Sequence, residues 1–133
     1  MKNISPHVNI YKFPITAISS IMNRITGLGI TGIYVISGSM LLFNKNPITY
    51  YEKLHKYPKT AINYGIIFPT FYHTFGGIRH FIWDKYPHLL SNVKVTQSSI
   101  GIIGLSIASS FIYEKYIIKT VSYTHLRAHE TRS

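Results

Sequence analysis

Three stretches of the chain lack Asp, Glu, Lys and Arg altogether: Ile25 to Phe43, Ala61 to Ile78, and Val95 to Tyr113. Each is close to the ~20 residues that a helix needs to cross the hydrocarbon of a bilayer. The loops between them are polar and contain proline, so little is left for a soluble core. The pattern predicts an all-α integral membrane chain of three transmembrane helices, an antiparallel up-down-up bundle preceded by a short interfacial segment. The spans are expected at about residues 24–44, 60–83 and 94–117. Within the three windows Ser, Thr, Gly and Tyr recur, which marks contact between helices more than contact with lipid. The bundle is therefore expected to lie partly against other subunits.

Upstream of the first window, Ser5 to Pro14 holds two prolines together with Tyr11 and Phe13, a composition that suits an extended segment at the headgroup level. Pro14 reads as a first helical residue, and Ile15 to Asn23 as a short, Ser-rich helical approach to the membrane. Ser20 and Arg24 are four residues apart on that approach, with Asn23 and Gly27 on the same face, so a hydroxyl and a guanidinium share a face just inside the interface. Pro69 in the second window is expected to kink or loosen its helix near Gly65 and to free a carbonyl there. The glycines of the first window, and Gly101, Gly104, Ser106, Ser109 and Ser110 of the third, read as packing positions. Val121 to Ser133 differs in kind. The apolar pattern has ended, and V-S-Y-T-H-L-R-A-H-E-T-R-S looks like a translated sequencing adapter. Residues 1–120 are therefore taken as the anchor domain, 121–133 as a non-native or disordered tail, and His125 and His129 are set aside.

Composition narrows the class further. Over 133 residues the formal charge is +10, yet the lysines and arginines fall mainly beside the apolar windows, as flanks of membrane helices do, which argues against nucleic-acid binding. Mean hydropathy is only +0.11 because the windows are rich in small polar residues. Six cations fall on each side of a three-span arrangement: Lys2, Lys12, Arg24, Arg79, Lys85 and Lys94 against Lys45, Lys53, Lys56, Lys59, Lys115 and Lys119. Charge therefore sets no orientation. The absence of cysteine excludes a disulfide framework, thiolate catalysis and an iron–sulfur cluster on this chain, so any iron must be held by histidine. Met1 to Phe13 is polar and carries no apolar core of a cleavable signal.

Candidate chemistry concentrates in Phe71 to Asp84. His73, Gly76, Gly77 and His80 are spaced i, i+3, i+4 and i+7 and stack along one stripe of a helix: an imidazole, a gap, and a second polar group roughly 10 Å further on. A histidine within an apolar window is expensive and usually faces a partner or a cofactor. Haem b fits such a stripe, since it needs a neutral imidazole on iron, close backbone approach, and cations such as His80 or Arg79 for its propionates. His73 would lie ~16 Å deeper along a helix than Asp84, which separates it from the interfacial Ser20 and Arg24. Blander readings remain for each residue. His73 could bond a neighbouring helix and His80 a backbone carbonyl; Trp83 could be a belt aromatic, Asp84 could pair with Arg79 or cap the turn, and Tyr72 could be packing.

Three runs, S-P-H-V-N-I-Y-K, S-I-M-N-R-I-T-G and H-T-F-G-G-I-R-H-F-I-W-D, occur in this order and are similar to the cytochrome b556 subunit family of succinate dehydrogenase, the large membrane anchor of respiratory complex II. The resemblance extends from Ser5 to the end of the third window. It implies a three-helix anchor in the mitochondrial or bacterial inner membrane, paired with a second small anchor subunit and supporting a flavoprotein subunit and an iron–sulfur subunit. It further implies reduction of ubiquinone with electrons from the iron–sulfur subunit. By the same resemblance His73 is the metal ligand, one axial histidine of a haem b whose other axial histidine comes from the partner anchor. Ser20 and Arg24 line the quinone pocket, with Arg24 also near a propionate, and His80 and Asn23 are further cofactor-binding positions. Asn23 is a departure, because members commonly place His just before this Arg, although an amide can still donate a hydrogen bond. No residue of this chain is expected to act on succinate, which requires flavin in a soluble domain. The rival readings are a haem-free structural anchor, a fumarate reductase anchor, and an ion-transport subunit. The last is disfavoured because the third window offers no ionisable group.

Overall fold

The computed structural model of the chain describes residues 14–118, with side chains through Tyr116. The expected interfacial segment before Pro14 and the tail with His125 and His129 lie outside the described residues. Four α-helices follow one another: α1 (Ile15–Leu42), α2 (Pro47–Glu52), α3 (Lys56–Lys85) and α4 (Asn92–Ile112). A 3-10 turn (Pro87–Leu89) links α3 to α4, and α4 runs on into a π-helical turn (Tyr113–Ile118). The chain is all-helical, with no strand among the described residues. Two stretches are long and apolar enough to cross a membrane, Ile15–Leu42 and Asn92–Tyr116. Helix α3 is the longest at 30 residues, but it is more polar, because its uncharged stretch Ala61 to Ile78 is diluted by Asn63, Tyr64, Pro69, Tyr72, His73 and two threonines.

Local sequence explains the element ends. Pro14 is extended (φ −68°, ψ 149°) and caps α1 rather than opening it. Its carbonyl accepts the N–H groups of Ala17 and Ile18 at 3.0 and 3.3 Å. The Ser-rich approach Ile15 to Asn23 is thus the first part of α1, with no break before the first apolar window. At the other end Asn44 takes a left-handed φ of 55°, and the Lys45 N–H bonds back to the Met40 carbonyl at 2.8 Å, the hydrogen-bond pattern that closes many helices. Asn46 then caps α2 by accepting the Ile48 N–H at 3.0 Å, with Pro47 in the first turn where its missing N–H costs nothing. Helix α3 continues through Pro69 as one helix. The proline withholds a ladder donor from the Gly65 carbonyl, and the next hydroxyl, Thr70, donates to Ile66 at 2.7 Å.

Packing inverts the soluble pattern. The buried positions are Ser19 and Thr26 on α1, Ile67, Tyr72, Gly76 and Arg79 on α3, and Ser99, Ser106 and Ser110 on α4. The exposed ones include Leu28, Tyr34, Leu42, Phe81 and Val93, each at least 67% accessible. A continuous apolar exterior around a seam of small and polar side chains is stable where the surroundings are hydrocarbon or other apolar subunits. Contact partners step backward along α3 as α1 advances, with Ser19 meeting Tyr72 and Arg79, Asn23 meeting Gly76, and Gly27 meeting His73, so these two helices run antiparallel.

Candidate functional site

Two polar centres lie on the α1–α3 pair, one turn or two apart along α1. The first is closed. Arg79 is 7% exposed and lies where α1, α3 and α4 converge. Its Nη1 donates to Ser99 Oγ at 2.8 Å and its Nη2 to Ser19 Oγ at 3.1 Å. The remaining bonds can be ordered by who can donate. The Tyr72 hydroxyl donates to the Ser19 carbonyl at 3.3 Å, the Ser19 hydroxyl bonds the Tyr72 oxygen at 3.1 Å, and the Ser99 hydroxyl donates to the Val95 carbonyl at 2.8 Å. One guanidinium thus ties three helices through two neutral hydroxyls. Its carbon lies 4.6 Å from the centre of the Trp83 ring, over the π face. Arg79 Nε is buried and finds no hydrogen-bond partner. Asp84 is exposed and does not pair with Arg79, whose contacts are all with neutral groups.

The second centre is open. His73 is exposed at the edge of the α1–α3 seam, and its Nδ1 lies 2.9 Å from the backbone carbonyl of Asn23. A carbonyl only accepts, so Nδ1 carries the hydrogen, and in the neutral ring that leaves Nε2 with the lone pair. The ring rests against Gly27, where a Cβ would come within 2.6 Å of His73 Cε1, so the missing side chain is what admits the imidazole. Gly76 plays the same part for Asn23, since any Cβ there would collide with the Asn23 amide. Asn23 is half-buried, and its Oδ1 is buried without a hydrogen-bond partner.

The other expected site residues share the exposed exterior. Ser20 and Arg24 are both exposed and one turn apart, with no hydrogen bond between them, so the hydroxyl and guanidinium face outward side by side. His80 is also exposed and meets Trp83 edge-on at 5.6 Å between ring centres. The stripe His73, Gly76, Gly77, His80 therefore splits: Gly76 turns into the seam, Gly77 faces open space, and the two histidines face out. Sequence reasoning missed Ser19, which is 1% exposed while its neighbour Ser20 is not buried at all, and read Tyr72 as packing where it is also a hydrogen-bonding member of the closed centre. The signal that finds them is a spacing: Ser19, Asn23 and Thr26 on α1, and Tyr72, Gly76 and Arg79 on α3, both i, i+4, i+7. Among the described residues no cluster of three or more His, Cys, Asp or Glu exists that could close around a metal.

Comparison with known proteins bears on the same segments. The pattern described as succinate dehydrogenase/fumarate reductase transmembrane subunit matches residues 1–113. The mitochondrial succinate dehydrogenase cytochrome b560 subunit of Dictyostelium discoideum is 36% identical over 116 residues, covering 82% of this chain and 59% of that protein. The succinate dehydrogenase cytochrome b560 subunit of Reclinomonas americana is 35% identical over 126 residues, covering 86% of this chain and 84% of that protein. The cytochrome b556 subunit of Rickettsia felis is 32% identical over 97 residues, covering 69% and 75% respectively. Against the Dictyostelium and pig proteins the match spans only 59% and 66% of their length.

Proposed function

Because the chain belongs to the succinate dehydrogenase/fumarate reductase transmembrane subunit family, we propose that it is the large membrane anchor of a succinate:ubiquinone oxidoreductase of the mitochondrial inner membrane. In that role it spans the bilayer three times, contributes one axial ligand to haem b, and forms part of the site where ubiquinone is reduced. The observation that carries the haem assignment is the His73–Asn23 bond at 2.9 Å. Metal-binding histidines characteristically give their second N–H to a carbonyl or carboxylate, which fixes the tautomer and aims the other nitrogen at the metal. Here Nε2 is left without a hydrogen bond on an exposed residue, and its ring rests against a glycine. The residues fit the group.

Bound there, haem b would supply a one-electron store. His73 would hold it from this chain, and a second small anchor subunit would supply the other histidine. Arg24 and His80 are the exposed cations and donors for propionates, with the Asn23 amide a third candidate once its side chain turns. Ubiquinone reduction adds two electrons and two protons, and the oxygens gain negative charge before they are protonated. Ser20 would donate a hydrogen bond to one quinone oxygen, and Arg24 would favour the developing charge. Electrons would arrive from an iron–sulfur subunit fed by a flavoprotein subunit, and the apolar exterior would face lipid and these partners.

The test is a reduced-minus-oxidised spectrum of the purified complex with and without His73→Ala. Loss of the b-type bands is expected, and bands that survive unchanged sink the ligand assignment. For the quinone site, Ser20→Ala should lower quinone reduction while succinate oxidation by an artificial acceptor continues, and equal loss of both activities refutes it.

A further inference from the structure

We propose that the Thr26 hydroxyl is a positioning group that sets how strongly His73 donates electron density, by sharing the Asn23 carbonyl with it. This rests on the reading of His73 as a haem ligand. Thr26 is 5% exposed, and its Oγ1 donates to the Asn23 carbonyl at 3.0 Å. The His73 Nδ1–H donates to the same oxygen at 2.9 Å. That oxygen also lies inside α1, where the regular ladder assigns it the N–H of Gly27, four residues on. Other hydroxyls also bond back along their own helices, those of Thr31, Thr70, Thr74 and Ser106 among them. Thr26 differs because, among the described residues, its acceptor alone also receives a side chain from another helix.

A carbonyl oxygen has two lone pairs, so each further donor that draws on it weakens the rest. Thr26 therefore keeps the Nδ1–H···O bond weaker than an unshared carbonyl would make it. The imidazole keeps less anionic character, and Nε2 is a poorer electron donor. The hydroxyl hydrogen adds the positive end of a dipole beside the ring. Both effects have one sign: they disfavour the oxidised, more positive state of a metal at Nε2 and raise its reduction potential. Thr26 is thus a setting on the potential of the site, made from within α1 and without touching the cofactor.

The experiment is an equilibrium redox titration of the b-type bands in the assembled complex for wild type, Thr26→Val, Thr26→Ala and Thr26→Ser, with His73→Ala alongside. Val keeps the volume and Ala removes it, but both lose the hydroxyl, so both should move the midpoint in the negative direction. Ser keeps the hydroxyl and should titrate as wild type. Unmoved midpoints in both the Val and Ala variants, with bands still lost in His73→Ala, overturn the inference while the ligand assignment stands. A shift in only one of the two, or a Ser variant that shifts with them, means that packing and not the hydroxyl is responsible, and overturns it as well. Bands that persist in His73→Ala overturn the ligand assignment itself.

Discussion

The two polar centres on α1 and α3 are built from the same pair of helices yet finished in opposite ways. At Arg79 the chain supplies partners for both terminal nitrogens, from hydroxyls on α1 and α4, and a tryptophan ring lies beside the guanidinium, while Nε stays unpaired. At His73 it supplies one bond, from a backbone carbonyl, to a residue that stays exposed. A charged group in an apolar setting must be satisfied or it is costly. The comparison therefore separates what holds the bundle together from what it offers to others. Burial, and not chemical type, tells a polar residue tied into the bundle from one left accessible here.

Substitutions can break that comparison at either end. Arg79→Ala is expected to have the largest effect, about 2–4 kcal/mol of destabilisation from the cavity and the disrupted hydroxyl network, read as a lowered thermal midpoint of the purified complex. Gly76→Ala should follow at about 1–3 kcal/mol, because its methyl collides with the Asn23 amide. The neighbouring Gly77→Ala has nothing within 4 Å to meet and should be neutral, or stabilising by up to about 1 kcal/mol through helix propensity. If the two glycine variants behaved alike, the α1–α3 register described above would be wrong. Tyr72→Phe removes one hydroxyl from the closed centre and should cost about 1 kcal/mol. His73→Ala should cost the bundle about 1 kcal/mol or less, since only one exposed bond is lost. A His73 variant as damaging to the fold as the Arg79 variant would erase the distinction.

The helical class and the position of the imidazole could be read from the chain, because uninterrupted apolar windows and a histidine among glycines are local features. The inward face could not be read the usual way. In a soluble helix apolar residues point in, but here lipid or apolar neighbours accept them on every side, so α1 shows Ile18, Ile25 and Leu28 outward and Ser19 and Thr26 inward. Choosing between Ser19 and Ser20 therefore needed the partners Tyr72 and Arg79 on α3, which are 53 and 60 residues away. Proline at 69 marked a lost ladder bond correctly as chemistry, and α3 nonetheless continues through it. Repeated small and polar residues at i, i+4, i+7 proved the better guide to the seam than hydrophobicity.

Trp83 is the chain's single tryptophan, and the Arg79 cation lies over its ring. Intrinsic emission from this subunit therefore originates at the junction of α1, α3 and α4, and a cation on the indole face shifts both its colour and its yield. Once tryptophans of other subunits are replaced or excluded by labelling, fluorescence during extraction from the membrane would report when that junction loosens, with no probe added.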